Sequence, residues 1–226
     1  MYVAAESPTA SRNALKSLPK INKYKIMKKK SLLFFLLFSA IIFAQKKDKR
    51  EGAYSIQLVS VESPKGIENG KIDSLNSTYE DSLIKINWQY AVSQIGFDLL
   101  NKTDESIKVL WDDAAFISVK NESSRVFHKG VKYIDRENSQ APTSIYKGTS
   151  LSDLISPTTY TTYMSGKYGG WISRPLYNTP TAIWSSKVEY KPELLGQTLK
   201  VVLPLKKEDT TLEYLFVFKT IFKEKK

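Results

Sequence analysis

The chain has no cysteine and a single histidine, His128, in 226 residues. The first absence excludes disulfides, thiolate zinc sites, iron–sulfur clusters and a cysteine nucleophile. The second excludes any site built from two imidazoles and leaves one candidate base for a Ser–His–acid arrangement. Neither a phosphate-cradling G-x-x-x-x-G-K-[ST] nor a G-x-S-x-G elbow occurs, and there is no D-x-D-x-D-G calcium loop. What is present is ordinary for a folded chain: 42% of residues are hydrophobic and 25% charged, enough apolar surface to bury a normal core.

The net charge of +11 is concentrated at the front. Residues 1–30 hold eight basic side chains against Glu6, and the remainder carries 26 basic and 22 acidic groups. A folded part so nearly balanced gives no bulk field for nucleic acid, and no nucleic-acid partner is expected.

From Met27 the chain reads MKKKSLLFFLLFSAIIFAQ, three lysines ahead of a 13-residue apolar run, Ser31–Phe43, and then Ala44–Gln45. Charged, apolar and small in that order is a secretory signal peptide, with cleavage expected after Ala44. The run is shorter than the roughly 20 residues a membrane-spanning helix needs, so any membrane attachment would come only through an uncleaved signal. No cysteine follows it, which excludes an acylated lipoprotein. Residues 1–26 lack hydrophobic periodicity and precede a complete signal, so they read as a mis-annotated extension with Met27 as initiator. The expected functional chain is 45–226, periplasmic or extracellular. The ending IFAQ is similar to the signal ends of exported proteins in Bacteroidota.

Beyond Gln45 the dominant pattern is period-two alternation broken by turn residues, with almost no helical period. Strands are expected at Tyr54–Val61, Ile84–Leu99, Ile107–Trp111, Ala115–Val119, Arg125–Tyr133, Thr143–Tyr146, Thr181–Val188, Leu199–Leu205 and Leu212–Phe222. The apolar parity changes beside Gly96, which predicts a β-bulge. The polar link Asn101–Glu105 between alternating runs predicts a hairpin. Glu62–Ser82, with Pro64, Gly66, Asn69 and Gly70, reads as a polar connection. Eight or nine strands without intervening helices predict an all-β, antiparallel β-sandwich in one domain. The run Ile95–Ile117, IGFDLLNKTDESIKVLWDDAAFI, resembles the central hairpin of uncharacterised exported immunoglobulin-like β-sandwich proteins of the Bacteroidota envelope. That resemblance implies an immunoglobulin-like fold and carries no activity.

Chemistry-bearing groups are few. Asp112 and Asp113 are paired carboxylates, yet adjacent residues of an extended strand point to opposite faces, and Asp is favoured in turns for its local hydrogen bonding. His128 would need a nucleophile and an orienting acid beside it. Tyr133–Gln140 reads as a solvated loop. The most unusual composition is Tyr160–Trp184, where Tyr160, Tyr163, Tyr168, Trp171, Tyr177 and Trp184 occur with Gly166, Gly169, Gly170, Pro175 and Pro180. Such rings offer rigid contact area on a loop or, alternatively, close an open end of the core. Asp73-Ser74-Leu75, Asp81-Ser82-Leu83 and Asp209-Thr210-Thr211 resemble the Asp-Ser/Thr-apolar O-glycosylation acceptor of Bacteroidota envelope proteins, which implies Ser74, Ser82 and Thr210 as modification sites. The combined expectation is a non-enzymatic envelope protein without cofactor or metal that binds an envelope protein or a glycan through its aromatic segment. The alternatives are a carbohydrate-binding module and a hydrolase using Asp112, Asp113 or His128.

Overall fold

The computed structural model describes residues 51–177 and 188–224. The leader, the 26 residues before it, Trp184 and all but the last residue of the Thr181–Val188 strand lie outside that description. In chain order the strands are β1 (Glu51–Glu62), β2 (Lys71–Asp73), β3 (Thr78–Glu80), β4 (Ile84–Tyr90), β5 (Ile95–Asn101), β6 (Ile107–Val109), β7 (Ala115–Ile117) and β8 (Ser123–His128). There follow β9 (Thr143–Ile145), β10 (Ser150–Pro157), β11 (Thr161–Met164), β12 (Gly170–Ser173), β13 (Val188–Glu189), β14 (Thr198–Lys207) and β15 (Thr210–Glu224). Three short 3-10 turns, Tyr133–Asp135, Thr158–Tyr160 and Pro192–Leu194, are the only helical elements among the described residues.

Thirteen strands form one sheet in the order β13-β1-β15-β14-β7-β8-β10-β5-β4-β3-β2, with β6 beside β14 and β9 beside β6. Every pairing is antiparallel, as the absence of crossover helices requires. The sheet doubles back at β8, whose Arg125 lies opposite Ala115 on β7 while His128 lies opposite Ile155 on β10. The inward rows of the two halves therefore meet. The Trp88 ring on β4 lies 4.9 Å from Phe216 and 5.2 Å from Phe218 on β15, and Tyr79 on β3 lies 6.0 Å from Phe216. Ile84, Ile86 and Trp88 are buried while Lys85 and Gln89 are exposed and Asn87 is half-buried, so the alternation read from the sequence is a real two-faced pattern. Each fully buried ring or aliphatic chain of this kind contributes about 1.5–3 kcal/mol of transfer free energy.

One polar tie crosses the core. The carboxylate of Asp81, buried in the turn between β3 and β4, accepts hydrogen bonds from the hydroxyls of Tyr79 (3.1 Å) and Tyr214 (2.9 Å) through one oxygen. The other oxygen takes the backbone N–H groups of Leu83 and Ile84, both at 2.8 Å. Burial, with the Asp81 charge beside it, pushes the Tyr214 phenol well above its ordinary pKa.

Several expectations are corrected. Strands number fifteen among the described residues, not eight or nine, because short polar strands carry little apolar signal: β2 is exposed throughout, and both β2 and β3 lie in the stretch expected as connection. β10 was hidden by Ser150, Ser152, Ser156 and Pro157. The parity change beside Gly96 is a hairpin turn, Ala91–Gln94, closed by Ala91 N–H to the Gln94 carbonyl at 2.9 Å, and the bulge lies instead between Leu58 and Ser60 on β1. Asn101–Glu105 does not close a hairpin, since β5 pairs with β4 and β10 whereas β6 pairs with β14 and β9. The buried Asn101 amide donates to the Glu105 and Ile145 carbonyls (2.6 and 3.0 Å) and accepts from Thr103, which turns the chain from one half of the sheet to the other. β8 ends at His128, not at Tyr133, because the chain turns at Gly130, two residues on, which adopts φ +94°.

Candidate binding surface

The aromatic segment divides into parts with different fates. Tyr160 ends a 3-10 turn and packs half-buried against Phe116 at 5.7 Å. Tyr177 is buried, and among the described residues its hydroxyl meets no partner at full hydrogen-bond distance and angle, as is also so for those of Tyr90 and Thr220. For Tyr177 this corrects the expectation of an exposed contact ring. Trp184 lies outside the described residues.

Between Tyr160 and Tyr177 the chain forms a two-stranded sheet of its own, β11 and β12, outside the main sheet. Cross-strand pairs run from Thr161↔Ser173 to Met164↔Gly170, and the Thr161 and Ser173 hydroxyls are bonded at 2.9 Å. Glycine is required twice in its turn. Gly166 has φ +128°, and a Cβ on Gly169 would fall 2.2 Å from the Met164 carbonyl oxygen.

The Tyr163–Trp171 pair has ring centroids 5.5 Å apart, and Trp171 also meets Tyr133 at 5.8 Å. Arg136 lies over the Trp171 ring at 5.0 Å and is fixed by donating to the Thr158 and Tyr133 carbonyls (3.2 and 2.9 Å). These contacts seat the hairpin on the Tyr133–Asp135 turn. Its remaining apolar groups are bare: Tyr168 is 91% exposed at the tip, Tyr163 62%, Met164 54%, and on the adjoining turn Ile134 73%. By the cross-strand register Tyr163 lies on one face of the arm and Met164 and Ile172 on the other. Several large apolar side chains left in water on one short arm mark an interaction site more often than the exposure of single residues does. Residues 158–177 contain Lys167 and Arg174 and no acid, so the arm is cationic.

Tyr133, Ile134 and Arg136 were read as solvated loop, and they form the base of this surface. The signal available was an aromatic–aliphatic pair inside an otherwise polar run.

The acidic and imidazole candidates do not assemble. Asp112 lies in the turn Trp111–Asp113 and accepts from Arg125 (2.8 Å), the Gln140 N–H (2.9 Å) and the Ser139 hydroxyl. The hydrogen bonds from Ser139 and Gln140, with Arg125 beside them, hold its carboxyl below the usual range. His128 stacks on Trp111 at 4.2 Å with the rings 4° from parallel, and its Nδ1 meets not Asp112 or Asp113 but Asp153, at 3.0 Å. Asp153 also accepts from the backbone of Lys129 and Leu154 (2.9 and 2.7 Å), so the pair pins β8 to β10. Among the described residues no hydroxyl hydrogen-bonds to the His128 ring. Sequence spacing could not identify Asp153, which is 25 residues away.

Of the acceptor triplets, Ser82 and Thr210 are exposed and Ser74 is half-buried in the β2–β3 turn. Asp73 there accepts from Leu75 and Asn76 backbone N–H groups (3.0 and 3.2 Å), the usual local work of an Asp in a turn.

Compared with known proteins, the chain matches no family model, no curated protein and no solved structure.

Proposed function

We propose that this chain is an exported, non-enzymatic binding protein of the bacterial cell envelope, and that the β11–β12 hairpin with the Tyr133–Arg136 turn is its contact surface for a partner protein. The observation that carries the reading is the placement of Tyr163, Met164, Tyr168 and Ile172 on an arm outside the main sheet, all exposed. An isolated two-stranded hairpin is marginal in water, so leaving such an arm apolar costs stability without helping the fold. Export rests on the Met27–Ala44 leader pattern, with the chain periplasmic or extracellular after cleavage. The facing halves of the sheet support reading the fold as an immunoglobulin-like sandwich, from which the unbroken β7-β8-β10 run departs.

The carbohydrate-module alternative has less support at this surface, because the Tyr163 and Tyr133 rings are tilted 65° and 52° from Trp171 and give successive sugar rings no flat platform. The hydrolase alternative has less still, with Asp112 engaged by Arg125 and Ser139, and His128 by Asp153.

The test is a double variant, Tyr163→Ser with Tyr168→Ser. Retention of the partner from envelope extracts is expected to be lost while the melting temperature is nearly unchanged. A large fall in melting temperature would mark the rings as structural, and unchanged retention would remove them from the surface.

A further inference from the structure

Beside the base of the hairpin lies a half-open cleft of about 480 Å³, lined by the β7–β8 turn, the Thr158–Tyr160 turn and the segment after β12. Its size is that of a small-molecule site. Its walls are locked. The buried Ser118 accepts the Lys120 and Glu122 N–H groups through its hydroxyl, both at 3.2 Å, and fixes the β7–β8 turn, in which Asn121 has φ +61°. The Ser124 hydroxyl takes the Thr159 hydroxyl at 3.0 Å and ties β8 to the opposite wall.

Arg174 is the informative residue. Pro175 restricts it to extended backbone, and its N–H donates to the Tyr160 carbonyl at 2.8 Å. Its guanidinium lies over the Tyr160 ring at 5.0 Å and donates once, from Nη2 to the Thr159 carbonyl at 2.8 Å. The exposed guanidinium is thus held at the open side of the cleft, while four of its five N–H donors have no protein acceptor among the described residues and face solvent. Among the described residues neither Arg174 nor Lys120 forms an ion pair. Glu122 is the single acid on the lining, against these two cations. Val119, Pro175 and Tyr160 supply apolar wall, and Ser123 and Thr159 supply hydroxyls. A guanidinium pre-positioned by stacking, with its fork unfilled, matches a planar or tetrahedral oxyanion.

We propose that this cleft binds a saccharide-sized ligand bearing one oxyanion, a carboxylate or a phosphate, which Arg174 receives through its N–H fork with Lys120 adding charge. The inference is separate from the hairpin reading, whose test residues Tyr163 and Tyr168 do not line the cleft.

Calorimetric titration of the full chain with glucuronate and with glucose 6-phosphate separates the two anion sources, and glucose and inorganic phosphate supply the neutral body and the bare anion. At least one charged sugar is expected to bind, more weakly as salt is added and at least ~10-fold more weakly in Arg174→Ala. A melting curve of that variant checks its fold, and Lys120→Ser, on the other wall, gives an independent loss. Four results would each overturn the proposal: neither charged sugar binds, glucose binds equally, inorganic phosphate binds as tightly as both sugars, or Arg174→Ala leaves the affinity unchanged.

Discussion

Replacing Asp81 with alanine removes the polar tie between the β3–β4 turn and β15, and its cost can be worked from the contacts. Tyr214 is fully buried and its hydroxyl has Asp81 as its partner at 2.9 Å, so the variant leaves that donor unsatisfied in an apolar surrounding. Tyr79 suffers less, because its hydroxyl also meets the Ser63 hydroxyl at 2.6 Å. The Leu83 and Ile84 N–H groups lose their acceptor as well. An orphaned buried donor costs about 1–3 kcal/mol, so the Tyr214 hydroxyl and the Ile84 N–H, with a smaller part from the half-buried Leu83 N–H, give about 3 kcal/mol in all. For a chain of this size that is a fall of about 6–12 °C in melting temperature. Urea unfolding followed by tryptophan fluorescence should show a lower midpoint with an unchanged slope. The double variant Asp81→Ala with Tyr214→Phe should recover about 1–2 kcal/mol relative to additivity, because no orphan hydroxyl remains. A cost for Asp81→Ala below about 0.5 kcal/mol, or strictly additive single effects, would refute the tie as a source of stability.

Further outcomes follow from the same contacts. Tyr177→Phe, which deletes a buried hydroxyl with no well-formed hydrogen bond among the described residues, is expected to be neutral or to stabilise by up to ~1 kcal/mol in the same urea assay, whereas Tyr177→Ala should cost about 3–5 kcal/mol. Gly169→Ala should open the hairpin turn, seen as faster proteolysis within Ser165–Gly169 at an unchanged global melting temperature, because its Cβ would meet the Met164 carbonyl. Burial raises the phenol pKa of Tyr79, Tyr90, Tyr177 and Tyr214. Their neutral forms are favoured in the fold, so the associated stability is complete below the unfolded phenol pKa of about 10 and is lost as pH rises above it. Ultraviolet titration should show these four of the 13 tyrosines ionising only as the chain unfolds, and free titration of all 13 in the folded protein would contradict their placement.

What the sequence disclosed depended on how much apolar contrast each segment carried. The alternation of Ile84, Ile86 and Trp88, or of Tyr214, Phe216 and Phe218, was legible because those residues line the core and their neighbours do not. β2 and β10 were not legible, since a strand built from Lys, Asp, Ser and Pro has the composition of a loop. Hairpin and crossover were indistinguishable at Asn101–Glu105 because the same turn-forming residues serve both. The decision lay in the long-range bond from Asn101 to the Ile145 carbonyl. At the candidate site the aromatic excess was visible, but its division into a buried Tyr177 and an exposed Tyr168 was not. Arg174 was overlooked because a lone arginine before proline acquires meaning only when the Thr159 carbonyl and the Tyr160 ring are folded against it.

The most direct measurement is photo-crosslinking in living cells, with a photoreactive side chain placed at position 168 and, as control, at position 75, an exposed apolar residue in the β2–β3 turn. A discrete adduct from the hairpin tip, absent from the control, is the result expected of a dedicated contact arm. Identical smears from both positions, or no adduct at 168, would contradict it.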